Sequence, residues 1–180
     1  MRTKSVITNM TLTAMFTAVI IVAGMFNIPT GFHSPINLVD MFVILAGFLL
    51  GPKYGLLAIV TYILLGFVGV PVFSNFSAGW GVLASPRGGF IFSFIPAVLF
   101  VGSMSKRCRG SLVMTIFTAL FAYIIIFAVG SAYAIYLATP SVPSWTAAWS
   151  VMILPFMPGT AVKTVLVVTL QRNLHSALSV

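Results

Sequence analysis

The chain is a series of long apolar runs separated by short breaks that carry proline, glycine or charge. The first run covers about Val6–Phe26, and the second, about Leu38–Leu50, is short. Gly51-Pro52-Lys53 ends it, as Gly-Pro pairs punctuate a chain. A third run extends from about Tyr54 to Val70 and is closed by Pro71. The fourth covers about Phe90–Met104 and the fifth about Leu112–Ala138. The sixth lies within Ala147–Leu170 and is interrupted by Pro155 and Pro158. The runs lack the strict alternation of membrane strands, so they predict helices. A helix rises about 1.5 Å per residue, so roughly 20 residues cross a hydrocarbon core of about 30 Å. The second run falls short of this. It is expected to begin earlier, near Pro35, because proline suits a first helical turn. The pattern thus predicts an all-α fold, one domain over residues 1–180 with six transmembrane helices.

Composition changes this from a preference to a requirement. Apolar residues make up 60% of the chain and charged residues 6%, against roughly a quarter charged in a soluble domain. That is too little charge to cover a water-facing surface, and the apolar surface is left to the lipid bilayer. A net charge of +8 invites a nucleic-acid reading, but nucleic-acid binders gather Lys and Arg on one polar face. Here the basic residues are scattered between apolar runs, as membrane topology produces. The N-terminal run is long enough to span and no small-residue cleavage site follows, so a cleavable signal is not expected. With the N-terminus inside the cell and six crossings, Arg2, Lys4, Lys53, Lys106, Arg107, Arg109 and Arg172 all fall on the cytoplasmic side. That is seven of the nine basic residues, and both termini are then cytoplasmic in a multi-pass protein of the cell membrane. The lone cysteine, Cys108, excludes an internal disulfide and reads as an inert loop thiol.

The two remaining cations have no topological reason for their positions. Arg87 lies in Ser85-Pro86-Arg87-Gly88-Gly89, ahead of the fourth helix. A cation there opposes the helix dipole, but free backbone N–H groups, glycines that allow close approach and a guanidinium fork together suit a carboxylate. The alternative is an outward arginine that touches water or headgroups. Lys163 follows Pro155-Phe156-Met157-Pro158-Gly159-Thr160 and falls inside the sixth run. Phe156, Thr160 and Lys163 recur at spacings of four and three, which is one helical face. The alternative is a lysine snorkelling to the surface. The only acid, Asp40, lies near the outer end of the second helix. It is placed to pair with Lys163 or Arg87, to contact a ligand, or merely to cap its helix. Ionisable residues at membrane depth are costly and mark function.

Around these charges lie further candidates. Residues 71–81, which include Phe73, Asn75 and Trp80, mix glycine, aromatics and an amide and read as a lid or as an interfacial loop with aromatic anchors. Ala14 and Ala18 form a small-xxx-small pair that lets another helix approach closely. The chain lacks a Walker-type Gly-Lys-Ser/Thr loop, so ATP hydrolysis by that route is excluded. His33 and His175 fall on opposite sides of the membrane and share no metal, and one acid leaves enzyme catalysis few players. No cofactor is expected.

Several segments resemble the BioY family, the biotin-specific S components of energy-coupling-factor transporters. Leu45-Ala46-Gly47-Phe48-Leu49-Leu50-Gly51-Pro52-Lys53 is similar to one family signature. So are Leu64-Leu65-Gly66 with Gly69-Val70-Pro71-Val72-Phe73, Pro86-Arg87-Gly88-Gly89-Phe90, and Leu154-Pro155-Phe156-Met157-Pro158-Gly159-Thr160-Ala161-Val162-Lys163. Order and spacing hold over about residues 10–172. The resemblance implies a six-helix component that captures biotin at its outer side and works with a transmembrane coupling protein and two ATPase subunits. Ala14 and Ala18 match the small-residue motif that docks on the coupling protein. Under this reading Arg87 or Lys163 holds the ligand carboxylate. Asn37, Asp40, Asn75 and Thr160 bond its other polar end, and Trp80, Phe73 and Tyr133 cover its apolar part.

The departures from the family pattern fall on polar positions. The family's Asp before the lysine is Thr160 here, its Thr in Pro-Thr-Gly-Gly is Arg87, and its Pro-Phe-Thr-Leu-Gln-Thr is Pro35-Ile36-Asn37-Leu38-Val39-Asp40. A retained scaffold with changed hydrogen-bonding positions makes a different small carboxylate the alternative ligand. A reading of another class is a membrane interaction protein that moves no solute.

Overall fold

The computed structural model describes residues 2–25, 27–28, 36–138 and 157–178. Its elements are α1 (Arg2–Met25), β1 (Asn27–Ile28), β2 (Ile36–Asn37), α2 (Val39–Val68), α3 (Trp80–Leu83), α4 (Pro86–Cys108), α5 (Leu112–Tyr133) and α6 (Met157–Leu178). A π-helical stretch, Ala134–Ala138, extends α5. The two strands pair antiparallel, with Asn27 opposite Asn37 and Ile28 opposite Ile36. Otherwise the described residues are helical or loop. Four helices are long and apolar enough to cross a membrane: α1 from Val6, α2, α4, and α5 through Tyr136.

Element α2 contains two antiparallel limbs, residues 39–50 and 52–68. Gly51 has φ 73° and ψ −176°, outside the helical region, a backbone that glycine reaches without a Cβ clash. Pro52 follows with its φ already fixed for a new helix start. Packing proves the reversal. A Cβ added at Gly55 would lie 3.4 Å from Ala46 O and 3.5 Å from Gly47 Cα, whereas nine residues of straight helix span about 14 Å. A Cβ at Gly24 would meet Val39 at 3.3 Å and the Tyr62 hydroxyl at 3.4 Å, two residues that a straight helix would hold about 35 Å apart. The second and third runs of the sequence are therefore a helical hairpin, broken at Gly51-Pro52 as expected.

One expected boundary is corrected. The second helix opens at Val39 rather than near Pro35, because Ile36-Asn37 is extended and paired with β1. The Asn37 side chain then accepts from the Val39 N–H at 2.8 Å, so asparagine supplies the capping acceptor. Pro35 itself, with His33, Pro155 and Phe156, lies outside the described residues.

The core lies between α2, α4 and α5, where Ile44, Ile59, Tyr62, Val98, Val101 and Tyr123 are buried. The outer faces remain apolar. Val6, Ile7, Met10, Met15 and Val22 of α1 and Leu112, Val113, Phe117, Phe121 and Ile124 of α5 are all exposed. In water each exposed side chain would forgo about 1.5–3 kcal/mol of burial energy. A surface this uniformly apolar suits hydrocarbon.

Candidate functional site

The centre of the site is a lysine that does not reach the surface. Lys163 faces inward from α6 with 4% exposure, along with Thr160, Thr164 and Gln171 on the same buried face. Helix α6 starts at Met157, with Pro158 in its first turn, where a missing N–H costs nothing. The Lys163 ammonium donates to Asp40 Oδ2 at 2.5 Å and to the Asn37 carbonyl at 3.2 Å. Its third side lies over the Tyr123 ring, 5.7 Å from the centroid, within cation–π range. Asp40 completes its own bonding by accepting from the Met41 N–H at 2.9 Å.

Of the roles open to Asp40, the structure adopts the ion pair with Lys163. A pair this deep is favourable only where both charges are further hydrogen-bonded, and here both are. The arrangement places an ammonium donor beside a carboxylate and a carbonyl acceptor. That matches a ligand group carrying a carbonyl next to N–H groups at least as well as it matches a free anion.

Asn37 ties this centre to the outer loop by donating from Nδ2 to Ser74 Oγ at 2.6 Å. Residues 74–76 form a 3-10 turn in which Asn75 (φ 59°) and Phe76 (φ 56°) both take left-handed backbone. Two consecutive non-glycine residues there cost roughly 1–3 kcal/mol each. The loop holds this shape through the Ser77 hydroxyl, which donates to Ser74 O at 2.7 Å, and through the buried anchor Phe73. The Phe73 ring, 1% exposed, packs edge-on against Tyr62 at 5.5 Å. A Cβ at Gly66 would lie 2.0 Å from Phe73 Cζ. Phe73 therefore anchors the loop and presents no open face, whereas Asn75, Phe76 and Trp80 are exposed at its tip. Trp80 stacks edge-on against Phe67 at 6.1 Å. We expect Gly66→Ala to destabilise the protein by about 1–3 kcal/mol. Phe73→Leu added to it should restore part of that loss, as read by thermal unfolding in detergent.

Arg87 belongs to a second group. It sits in the first turn of α4 behind Pro86, and it is exposed. Because Asp40 pairs with Lys163, Arg87 gains no side-chain carboxylate partner from the chain. The expectation that Gly88 and Gly89 open the backbone to a ligand is corrected. A Cβ at Gly88 would lie 1.8 Å from Leu83 O, and one at Gly89 would lie 2.6 Å from Tyr133 Cβ. Both glycines serve helix packing, and the Gly88 N–H already donates to Ser85 O at 2.9 Å. Tyr133 joins the same group, donating to Leu83 O at 2.9 Å and packing against Phe92.

The structure thus gathers Lys163, Asp40, Asn37 and, one turn away, Thr160. It places Asn75 on the adjoining loop, Trp80 at the start of α3 and Arg87 at the start of α4, with Tyr133 at the end of α5 packed beside α4. Ala14 and Ala18 lie on the outward face of α1. Tyr123 and Ser74 were not legible beforehand. Tyr123 sits in a continuous apolar run, and Ser74 is one of many loop serines.

The fold has a solved counterpart. A crystal structure of the S-component for biotin from an ECF-type ABC transporter aligns with a TM-score of 0.84 at 28% identity, covering 98% of this chain and 95% of that one. A Lactococcus lactis protein named biotin transporter BioY is 32% identical over 177 residues, covering 92% of this chain and 89% of the relative. A Thermotoga maritima protein of the same name is 44% identical over 93 residues. That match covers 52% of this chain and about half the length of the relative, 54%. The fold and its apolar surface are those of a multi-pass membrane protein. With the family model matching residues 1–180, the chain belongs to the BioY family.

Proposed function

We propose that this protein is the substrate-capture component of an energy-coupling-factor uptake transporter and binds biotin from the outer side of the membrane. It binds and hands over its ligand and carries out no reaction on it. The observation that carries the reading is the buried Lys163–Asp40 pair, set beneath a strained, aromatic-rich loop and accompanied by Arg87. The names of the relatives and of the structural neighbour support the same ligand.

The pairing also divides the labour between the two cations. Lys163 is already neutralised by Asp40, so the pair takes the neutral ureido end of biotin, with the ammonium toward the carbonyl and the carboxylate toward an N–H. Asn37, Asn75 and Thr160 line this polar end, while Trp80 and Tyr133 shield the apolar ring and chain, and Phe73, buried against Tyr62, holds the loop in place rather than touching the ligand. Arg87, which has no acid of its own, takes the ligand carboxylate. Arg87→Gln is expected to weaken biotin binding about tenfold, roughly 1.4 kcal/mol, and to leave the affinity for biotinamide within twofold. Equal losses for both ligands would remove Arg87 from the carboxylate.

Six helical segments, two of them the limbs of the α2 hairpin, make up the membrane domain, with both chain ends in the cytoplasm. The partners are a transmembrane coupling protein and two ATPase subunits, and Ala14 and Ala18 form the docking face on α1. Bulky residues at both positions should abolish uptake while leaving biotin affinity intact. A second reading keeps the fold and replaces biotin by another small carboxylate, favoured by the polar changes at Asp40, Arg87 and Thr160. Denaturing protein purified from rich medium and identifying the released molecule by mass spectrometry separates the two.

A further inference from the structure

Three buried side-chain atoms among the described residues have no hydrogen-bond partner: Tyr123 Oη, Ser131 Oγ and Gln171 Oε1. An unpaired buried polar group carries its full desolvation penalty, so its presence calls for a reason. Of the three, Tyr123 is the residue whose ring lies against the Lys163 ammonium. It is 2% exposed and comes from the middle of α5, a helix that contributes no other group to the Lys163–Asp40 centre. A phenylalanine would offer the same ring face to the cation and fill the same core. The hydroxyl is therefore not needed for packing, and in the empty protein it is a cost.

We propose that Tyr123 is a ligand-binding and specificity-determining residue, whose hydroxyl donates to a carbonyl-type oxygen of the bound molecule beside Lys163. Tyr123 Oη holds a donor in reserve, because none of the described residues accepts from it. A ligand oxygen entering beside the ammonium, which lies 5.7 Å from the Tyr123 ring centroid, would come within reach of this second donor from α5. A ligand lacking that oxygen leaves the tyrosine donor buried and unpaired, and such a site discriminates against it strongly. This inference rests on the proposed biotin-binding reading and assigns the residue that recognises the ureido oxygen.

The test is Tyr123→Phe, with two readouts on full-length protein in detergent: the Kd for biotin by calorimetry and the Tm of the ligand-free protein. The expected result is a biotin Kd raised more than fivefold together with an unchanged or higher ligand-free Tm, since the variant removes only an unpaired hydroxyl. Opposite movement of affinity and stability is a signature that a purely structural tyrosine does not give. A Kd raised fivefold or less overturns the proposal, and so does a larger loss accompanied by a lower Tm. Failure of the parent protein to bind biotin would instead strike the functional reading, so the two failures are distinguishable.

Discussion

Lys163→Ala should cost at least tenfold in biotin affinity and about 3 kcal/mol in stability of the empty protein. The binding loss follows from removing the donor at the centre of the site, at roughly 1.4 kcal/mol per tenfold. The stability loss has a separate cause. Without the ammonium, the Asp40 carboxyl is left in a half-buried position without its cation, beside the Met41 N–H. Breaking a buried pair on one side costs about 3–5 kcal/mol, and the 16% exposure of Asp40 places this case at the lower end. The double variant Lys163→Met with Asp40→Leu removes both charges. It should recover most of the stability, because matched apolar replacement of a buried pair is close to neutral, and it should recover none of the binding. Thermal unfolding with and without biotin, together with calorimetry, reads both effects. Wild-type affinity in a folded Lys163→Ala protein would end the assignment of this residue.

Gly88→Ala should be strongly disruptive, at about 3 kcal/mol. The atoms a Cβ would strike are Leu83 O at 1.8 Å, Leu83 C at 2.5 Å and Leu83 Cα at 2.8 Å. All three are backbone, so no rotamer change relieves the clash, and either α3 or the start of α4 must move. That movement would also disturb the Tyr133 hydrogen bond to Leu83 O and the placement of Arg87. A lowered melting temperature accompanied by weaker biotin binding is the expected pair of results. A variant with the parent's melting temperature would show that the close approach is dispensable.

The helical rods were legible because a hydrocarbon environment leaves few alternatives. Long apolar runs have to satisfy their backbone internally, and Gly51-Pro52 could only break such a run. The hairpin partner faces were less legible, since α2 is apolar on all sides and periodicity marks no inner face. Lys163, Arg87 and Asp40 stood out because charge inside such runs is rare. The start of the second helix was misplaced because the pairing of Asn37 with Asn27 is non-local, and proline's local preference was the only signal near it.

By itself the sequence determined that the protein lies in a membrane, that it is helical, and that one acid must answer for two misplaced cations. It left open which cation that acid serves, and tertiary structure decided it. The first turn of α2 lies against α6, so Asp40 meets Lys163 where that lysine is buried and an uncompensated charge is costly. Tertiary structure alone also placed Tyr123 beneath that pair. Hydrophobic pattern records how apolar a residue is, and the direction of a single hydroxyl is set only when helices distant in the chain pack together.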